Sequence, residues 1–445
     1  MNTPIADFVR GYEKKNIARL HMPGHKGMAF LGCESLDITE VCGADALYEA
    51  DGIIAESEAN ATELFGTGRT VYSTEGSSQC IKAILYLAMQ NRKLGVKPKV
   101  LATRNVHKAF VYAVALLDLE VEWILPEGNM HSLCSCSVSP ETVDARLLEM
   151  KETPVAVYVT SPDYLGGELD IKGIAEVCHK HGTILAVDNA HGAYLHFLEP
   201  SRHPIDFGAD ICCDSAHKTL PVLTGGAYLQ ISKHAPENFV ENAKKAMALF
   251  GSTSPSYLTL MSLDLCNQYL ENGYREKLVA TIKMLQEVRQ ELKSKGWKVI
   301  ETDPLKLTIR APKGLTGVKL AEKLRLSNIE CEYADPEYVV CMATPENIVE
   351  DLQKLVIALE ENELVYETLK IFGKLNCERA MSIREAVFAE HEEISVLDAI
   401  GRICGSPTVS CPPAIPVAIS GEVIDEVAIE ILEYYGVRTI EVVKE

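Results

Sequence analysis

Positive charge is scarce in this sequence. It has 43 lysines and arginines against 63 aspartates and glutamates, a formal net charge of −20. A nucleic-acid footprint needs a basic face, so binding to DNA or RNA is not expected. Long apolar runs are also missing. The longest, near 109–117, falls far short of the ~20 residues of a membrane-spanning helix, so no membrane role is expected. The opening Met1-Asn2-Thr3-Pro4-Ile5 has no charged-then-apolar character, so no signal peptide is expected. There are 14 cysteines but no paired Cys-x-x-Cys repeat. The nearest pairs are Cys212-Cys213 and Cys134-Ser135-Cys136. This spacing predicts free thiols in a reducing cytoplasm, neither a disulfide frame nor a metal site. Internal repeats and low-complexity tracts are absent too.

What is present is an alternation of strand and helix. The 445 residues, 47% hydrophobic, suffice for one large domain and one or two smaller ones. Residues 1–35 read as an N-terminal arm, with glycines and a proline in His21–Gly27 ruling out regular structure. Residues 36–255 read as the large domain. Ile81, Ile84, Leu85 and Ala88 follow helical spacing over 77–92. Apolar or alternating strands are predicted at 100–103, 119–123, 155–159, 184–187, 209–213 and 227–231. A helix over 107–117 and another from Ile171 through Cys178, capped by Asp170, fall between them. The fold class is therefore α/β, a mainly parallel sheet covered by helices, with functional groups at the C-terminal ends of strands. Residues 256–294 are predicted as connecting helices. Residues 295–445 read as a smaller C-terminal α/β domain, whose last part, about 363–445, adds helices around Cys411–Pro416.

The chain is organised around Asp214-Ser215-Ala216-His217-Lys218, which lies between two apolar strands. A lysine there must be paired or chemically used. Desolvation would let it lose its proton and bond covalently to an aldehyde cofactor. Gly76-Ser77-Ser78-Gln79 opens a helix and offers backbone N–H groups and hydroxyls to a phosphate. His107 follows a strand and could stack on a flat ring, or merely cap a helix. Asp188 ends a buried strand and needs a cationic or hydrogen-bonding partner, which a protonated pyridine nitrogen would supply. His191, three residues on, could reach a ring hydroxyl. Ser215 and His217 flank Lys218 closely enough to share the phosphate. Each feature alone has a bland structural reading. Their order, each after its own strand, describes a pyridoxal 5'-phosphate site.

With these residues in view, the chain resembles the bacterial ornithine/lysine/arginine decarboxylases of the aspartate-aminotransferase-like fold type I. The resemblance runs through His21–Gly27, Asp37–Thr39, Gly76–Ser78, Arg104–Lys108, Thr160–Tyr164, Asp188–Gly192, Ser215–Lys218, Thr253–Pro255 and Pro412–Pro416 with Gly421-Glu422. It resembles the short form, without an N-terminal wing domain. The resemblance implies that Lys218 carries the cofactor, Asp188 pairs with its ring nitrogen and His107 stacks on the ring. It assigns the phosphate to Ser77, Ser78, Ser215 and His217, with the backbone of Gln79, and places His191 near the ring oxygen. It also implies a homodimer or higher homo-oligomer with shared sites, to which the arm and Thr253-Ser254 would contribute.

The implied reaction is decarboxylation of arginine, lysine or ornithine to the amine, a polyamine precursor, and CO2. Other fold type I reactions (transamination, aldol cleavage, another lyase reaction) stay open, with Arg310 as a carboxylate-binding arginine. So does a non-catalytic regulator that kept the fold. Lys26 is a rival for Lys218, ranked lower because no strand precedes it. Asp163, Glu422 and Asp425 are candidates for the substrate's distal cation. Three departures from the family pattern fall near the substrate: Asn189 where a glutamate is usual, Asp163-Tyr164-Leu165-Gly166 where Thr-Tyr-Asp-Gly is usual, and Gly225 or Gly226 where a glutamine is frequent.

Overall fold

The structure, a computed structural model, describes residues 1–92, 95–360, 364–375, 378–406 and 415–445. A seven-stranded sheet runs in the order β1-β7-β6-β5-β4-β2-β3. Its strands are β1 (Arg69–Ser73), β2 (Lys99–Thr103), β3 (Glu120–Ile124), β4 (Ala156–Thr160), β5 (Leu185–Asp188), β6 (Ile211–Asp214) and β7 (Ala227–Ile231). β2 and β3 are parallel, as are β5 and β6, while β7 runs antiparallel to both neighbours, β1 and β6. The sheet is thus mainly parallel, as the strand–helix alternation requires. Among the described residues no helix is long and apolar enough to cross a membrane.

The chain divides into two compact units. The first comprises 1–96, 155–158 and 171–276. Its strands β5, β6 and β7 are buried at every residue, as expected of strands covered on both faces. β1 runs opposite to β7, and β7 opposite to β6, so Ser73, Asp188 and Asp214 all end strands that point the same way. These carboxyl ends form one edge, where a doubly wound sheet places ligands.

The arm's first helix, Pro4–Lys14, is pinned to this unit by an aspartate. The backbone N–H of Ala6 donates to Asp264 Oδ2 at 2.9 Å, and Ser57 Oγ donates to Asp264 Oδ1 at 2.6 Å. Burial raises the Asp264 carboxyl to about 6 despite those donors. A folded-state value above the unfolded ~3.9 means that the folded protein binds more protons between these pH values. Stability from this group therefore falls as pH rises from about 4 to 6, and the cost is complete above about 6. Urea midpoints at pH 4.5 and pH 7 should show this slope in the wild type and lose about 1–2 kcal/mol of it in Asp264→Asn.

The second unit comprises 97–154, 159–170 and 277–445. It carries β8 (Val299–Ile300), β9 (Lys306–Arg310), β10 (Tyr333–Ala334) and β11 (Tyr338–Met342) in a sheet ordered β10-β11-β9-β8. β10 is short because only Tyr333 and Ala334 pair in register with Val340 and Val339. The tail, where helices are predicted, carries strands as well. Besides helices Ile383–Phe388 and Glu426–Tyr434 it forms an antiparallel hairpin-like pair, β12 (His391–Ser395) with β13 (Thr439–Val443). The two strands are more than 40 residues apart in sequence, so no local turn signal announced their pairing. Residues 411–414 of the predicted Cys411–Pro416 segment lie outside the described residues.

Candidate active site

Three loops of the first unit leave the carboxyl edge of the sheet, and their side chains meet. After β1, Gly76 takes φ +73 and becomes the N-cap of the helix Ser77–Gln90 without any side-chain cap. The first-turn N–H groups of that helix, with its dipole, suit an anion. After β6, Ser215 Oγ donates to Ser77 Oγ at 2.8 Å, so two predicted phosphate-binding hydroxyls share one place. Gln79, whose backbone is the part assigned to the phosphate, turns its side chain inward. Its side chain is buried and bonded to Ser73 Oγ, Tyr48 Oη and the Met247 carbonyl, which fixes the helix start.

Lys218 lies in a four-residue helical turn, Ala216–Thr219, between β6 and β7. It is half-buried, and its Nζ is 2.9 Å from His191 Nε2. A neutral imidazole accepts that bond, and two adjacent cations would be unfavourable. His217 is anchored through Nδ1 on the Gly226 carbonyl at 3.0 Å.

Asp188 is 3% exposed. Tyr158 Oη donates to its Oδ2 at 3.3 Å, and the Ala190 N–H and the Cys213 thiol donate to its Oδ1 at 3.2 and 3.5 Å. Among the described residues no cation pairs with it. A buried carboxylate held only by neutral donors is complementary to a protonated ring nitrogen. The donor set of this unit therefore fits pyridoxal phosphate: an anion cradle at 76–78 with Ser215, a half-buried amine at Lys218 and an uncompensated carboxylate at Asp188. Tyr158 went unnoticed in the sequence, where it reads as one more apolar position of a buried strand.

Two of the three departures acquire physical reasons. Asn189 Nδ2 donates to Asp214 Oδ1 at 2.6 Å, and Asp214 also accepts from His203 Nε2 at 3.1 Å and Gln230 Nε2 at 3.1 Å. A glutamate at 189 would face that buried carboxylate without a proton to offer. Gly225 takes φ +95, and a Cβ there would lie 2.7 Å from the Thr74 carbonyl; one on Gly226 would lie 2.2 Å from Val222 Cγ1. Neither position admits a glutamine. Gly225→Ala should cost about 1–3 kcal/mol in urea unfolding, since its carbonyl also receives the Gly76 N–H at 2.7 Å. His203, Cys212 and Asp214 lie close enough together to suggest a metal, yet Asp214 is already occupied by three hydrogen-bond donors.

The second unit carries His107 and the charged residues considered for substrate. His107 is the N-cap of the helix Lys108–Leu117, its Nδ1 accepting the Ala109 N–H at 3.1 Å. It is half-buried. Arg104, three residues earlier, forms a bidentate ion pair with Glu422, at 2.7 and 2.6 Å, inside the protein. The carboxylates considered for a distal cation are all engaged. Glu422 holds Arg104 and the Ile419 N–H, Asp163 accepts the Gly167 and Cys136 N–H groups, and Asp425 caps the helix Glu426–Tyr434. Arg310 donates to the Glu367 carbonyl and lies over the Tyr366 ring, so the arginine considered for transamination is engaged within its own unit. In the arm, Lys26 is exposed and bonded to the His21 carbonyl of its own turn.

Comparison with known proteins places the chain by sequence and by fold. The family model for the major domain of the Orn/Lys/Arg decarboxylases matches residues 3–302. The arginine decarboxylase of Bacillus subtilis (strain 168) is 28% identical over 456 aligned positions, covering 95% of this chain and 91% of that protein. The arginine decarboxylase of Halalkalibacterium halodurans gives the same identity and coverage. Among solved structures, lysine decarboxylase A from Pseudomonas aeruginosa superposes with a TM-score of 0.82 at 18% identity, covering 99% of this chain and 80% of that chain.

Proposed function

This chain belongs to the ornithine/lysine/arginine decarboxylase family, and from that premise we infer that it is a pyridoxal-phosphate-dependent enzyme that removes the α-carboxyl group of a basic amino acid as CO2, with arginine as the preferred substrate. The fold is that of fold type I. One observation carries the reading: the Lys218 amine stands 2.9 Å from His191 on the same sheet edge as Asp188, a buried carboxylate with no cation paired to it among the described residues. The preference for arginine rests on the curated relatives, which match this chain over nine-tenths of their length and are named arginine decarboxylases.

When bound, pyridoxal phosphate supplies an electron sink conjugated to the substrate α-carbon. Ser77, Ser78, Ser215 and His217 would hold its phosphate, together with the N–H groups that open the helix Ser77–Gln90. Lys218 would carry it, and His107 would stack on its ring. Asp188 would favour a proton on the ring nitrogen, because among the described residues no cation competes for its buried carboxylate. His191, 2.9 Å from Lys218 Nζ, would hold the amine in place for the reaction. With His191 neutral, Lys218 can give up its proton and act as a nucleophile, then return a proton as a general acid.

A homodimer or higher homo-oligomer acting in the cytoplasm belongs to the same proposal. Its support is the arm, where Leu20, Phe30 and Leu31 are 95%, 81% and 90% exposed, an apolar surface suited to burial against a second copy. The deciding experiment is product formation from arginine, lysine and ornithine, each with added pyridoxal phosphate. Agmatine and CO2 from arginine support the proposal. Cadaverine or putrescine alone would reassign the substrate, and an oxo-acid product would replace decarboxylation by transamination.

A further inference from the structure

Twelve of the cysteines lie among the described residues, and one pair stands apart. Cys331 precedes β10, and Cys341 lies on β11, the neighbouring antiparallel strand. The Cys341 thiol donates to the Cys331 sulfur, with the two sulfurs 3.9 Å apart. Both are half-buried, whereas eight others, including the adjacent Cys212 and Cys213, are buried. Cys331 is therefore more open to a reagent than those eight. Cys341 also lines a cavity of about 250 Å³ with Asn328, Ile329, Glu330 and Leu352, so a small molecule has room beside it.

We propose that Cys331 and Cys341 form a thiol–disulfide exchange site that takes small disulfides, a chemistry separate from the decarboxylase reading. Cys331 is the attacking sulfur. The hydrogen bond from Cys341 holds its thiol below the ordinary range, with the Arg325 guanidinium helping, although burial and Glu330 oppose. The same bond, with burial, pushes Cys341 up, which makes it the resolving thiol. A depressed thiol beside a resolving partner is the arrangement that such exchange needs. The Cys331 thiolate attacks one sulfur of a small disulfide and one thiolate leaves. Cys341 then loses its proton and attacks the Cys331 sulfur, and the second thiolate leaves. Two protein thiols are oxidised, one disulfide is reduced to two thiols, and the sulfurs close from 3.9 Å to about 2.05 Å. The new bond ties the entry of β10 to β11 beside the cavity.

The test uses the cofactor-loaded protein with oxidised and reduced glutathione in rising ratio, followed by peptide mapping without reductant. The expected result is a cross-linked peptide joining Cys331 to Cys341, with the loss of two hydrogens, reversed by dithiothreitol. Cys341→Ser should stall with a stable glutathione adduct on Cys331. Cys331→Ser should lose the cross-link and leave Cys341 at least tenfold less modified than Cys331 is in Cys341→Ser. The proposal falls if the wild type keeps both thiols reduced while exposed Cys42 is modified. It also falls if the wild type accumulates the Cys331 adduct without closing it.

Discussion

Lys218→Ala should lower the rate of CO2 release by about three orders of magnitude or more, the scale of losing a covalent carrier that is also a proton donor. Its urea midpoint should stay within about 0.5 kcal/mol of the wild type, because the side chain is half-exposed in a short turn and fills no core position. The variant should also lose the borohydride-sensitive visible band of the loaded protein. Lys218→Arg is the sharper comparison. It keeps the positive charge beside His191 but cannot lose its proton at working pH, so it should be as inactive as the alanine variant. If either variant keeps a tenth or more of the wild-type rate, the carrier lies elsewhere and Lys26 becomes the next residue to replace.

The second large effect concerns stability. Arg104 is 0% exposed and Glu422 2%, and they form a two-bond ion pair, with Arg104 also donating to the Pro416 carbonyl at 3.2 Å and lying 5.0 Å from the Trp123 ring centre. Removing one partner strands a charge away from water, so Glu422→Gln or Arg104→Met should each cost about 3–5 kcal/mol in chemical denaturation. The double replacement Arg104→Met with Glu422→Leu should recover most of that loss, because two apolar side chains of similar volume avoid the desolvation cost that the ion pair carries. If the double variant is as unstable as the sum of the singles, the pair is not coupled and its geometry misstates its energy. Turnover should fall in the single variants as well, since Arg104 holds the loop that leads to His107.

Some parts of the site and fold could be read directly from residues, and others could not. The strands around Asp188 and Lys218 are short, largely apolar runs, and the helix after Gly76 has a clean apolar face. Both signals are local, and both elements appear within two residues of where the pattern puts them. The pairing of β12 with β13 and the contact of Arg104 with Glu422 join residues tens to hundreds of positions apart. Nothing in a local window encodes such contacts, because either residue alone reads as a surface charge or an ordinary strand. The same holds for the side chain of Gln79, whose inward partners Tyr48 and Met247 lie tens to hundreds of positions away.

The sequence by itself determined the α/β alternation and the order of Gly76–Ser78, Asp188 and Lys218 along the chain. Those depend on periodicity, composition and residue chemistry, which are properties of neighbours in sequence. Only the tertiary structure decided which side chains are available. It engaged Glu422, Asp163, Asp425 and Arg310 elsewhere, set Tyr158 against Asp188, and left Asp188 with neutral donors. Availability is a matter of who else stands within about 3 Å, and that is settled when distant strands and loops are brought to one edge.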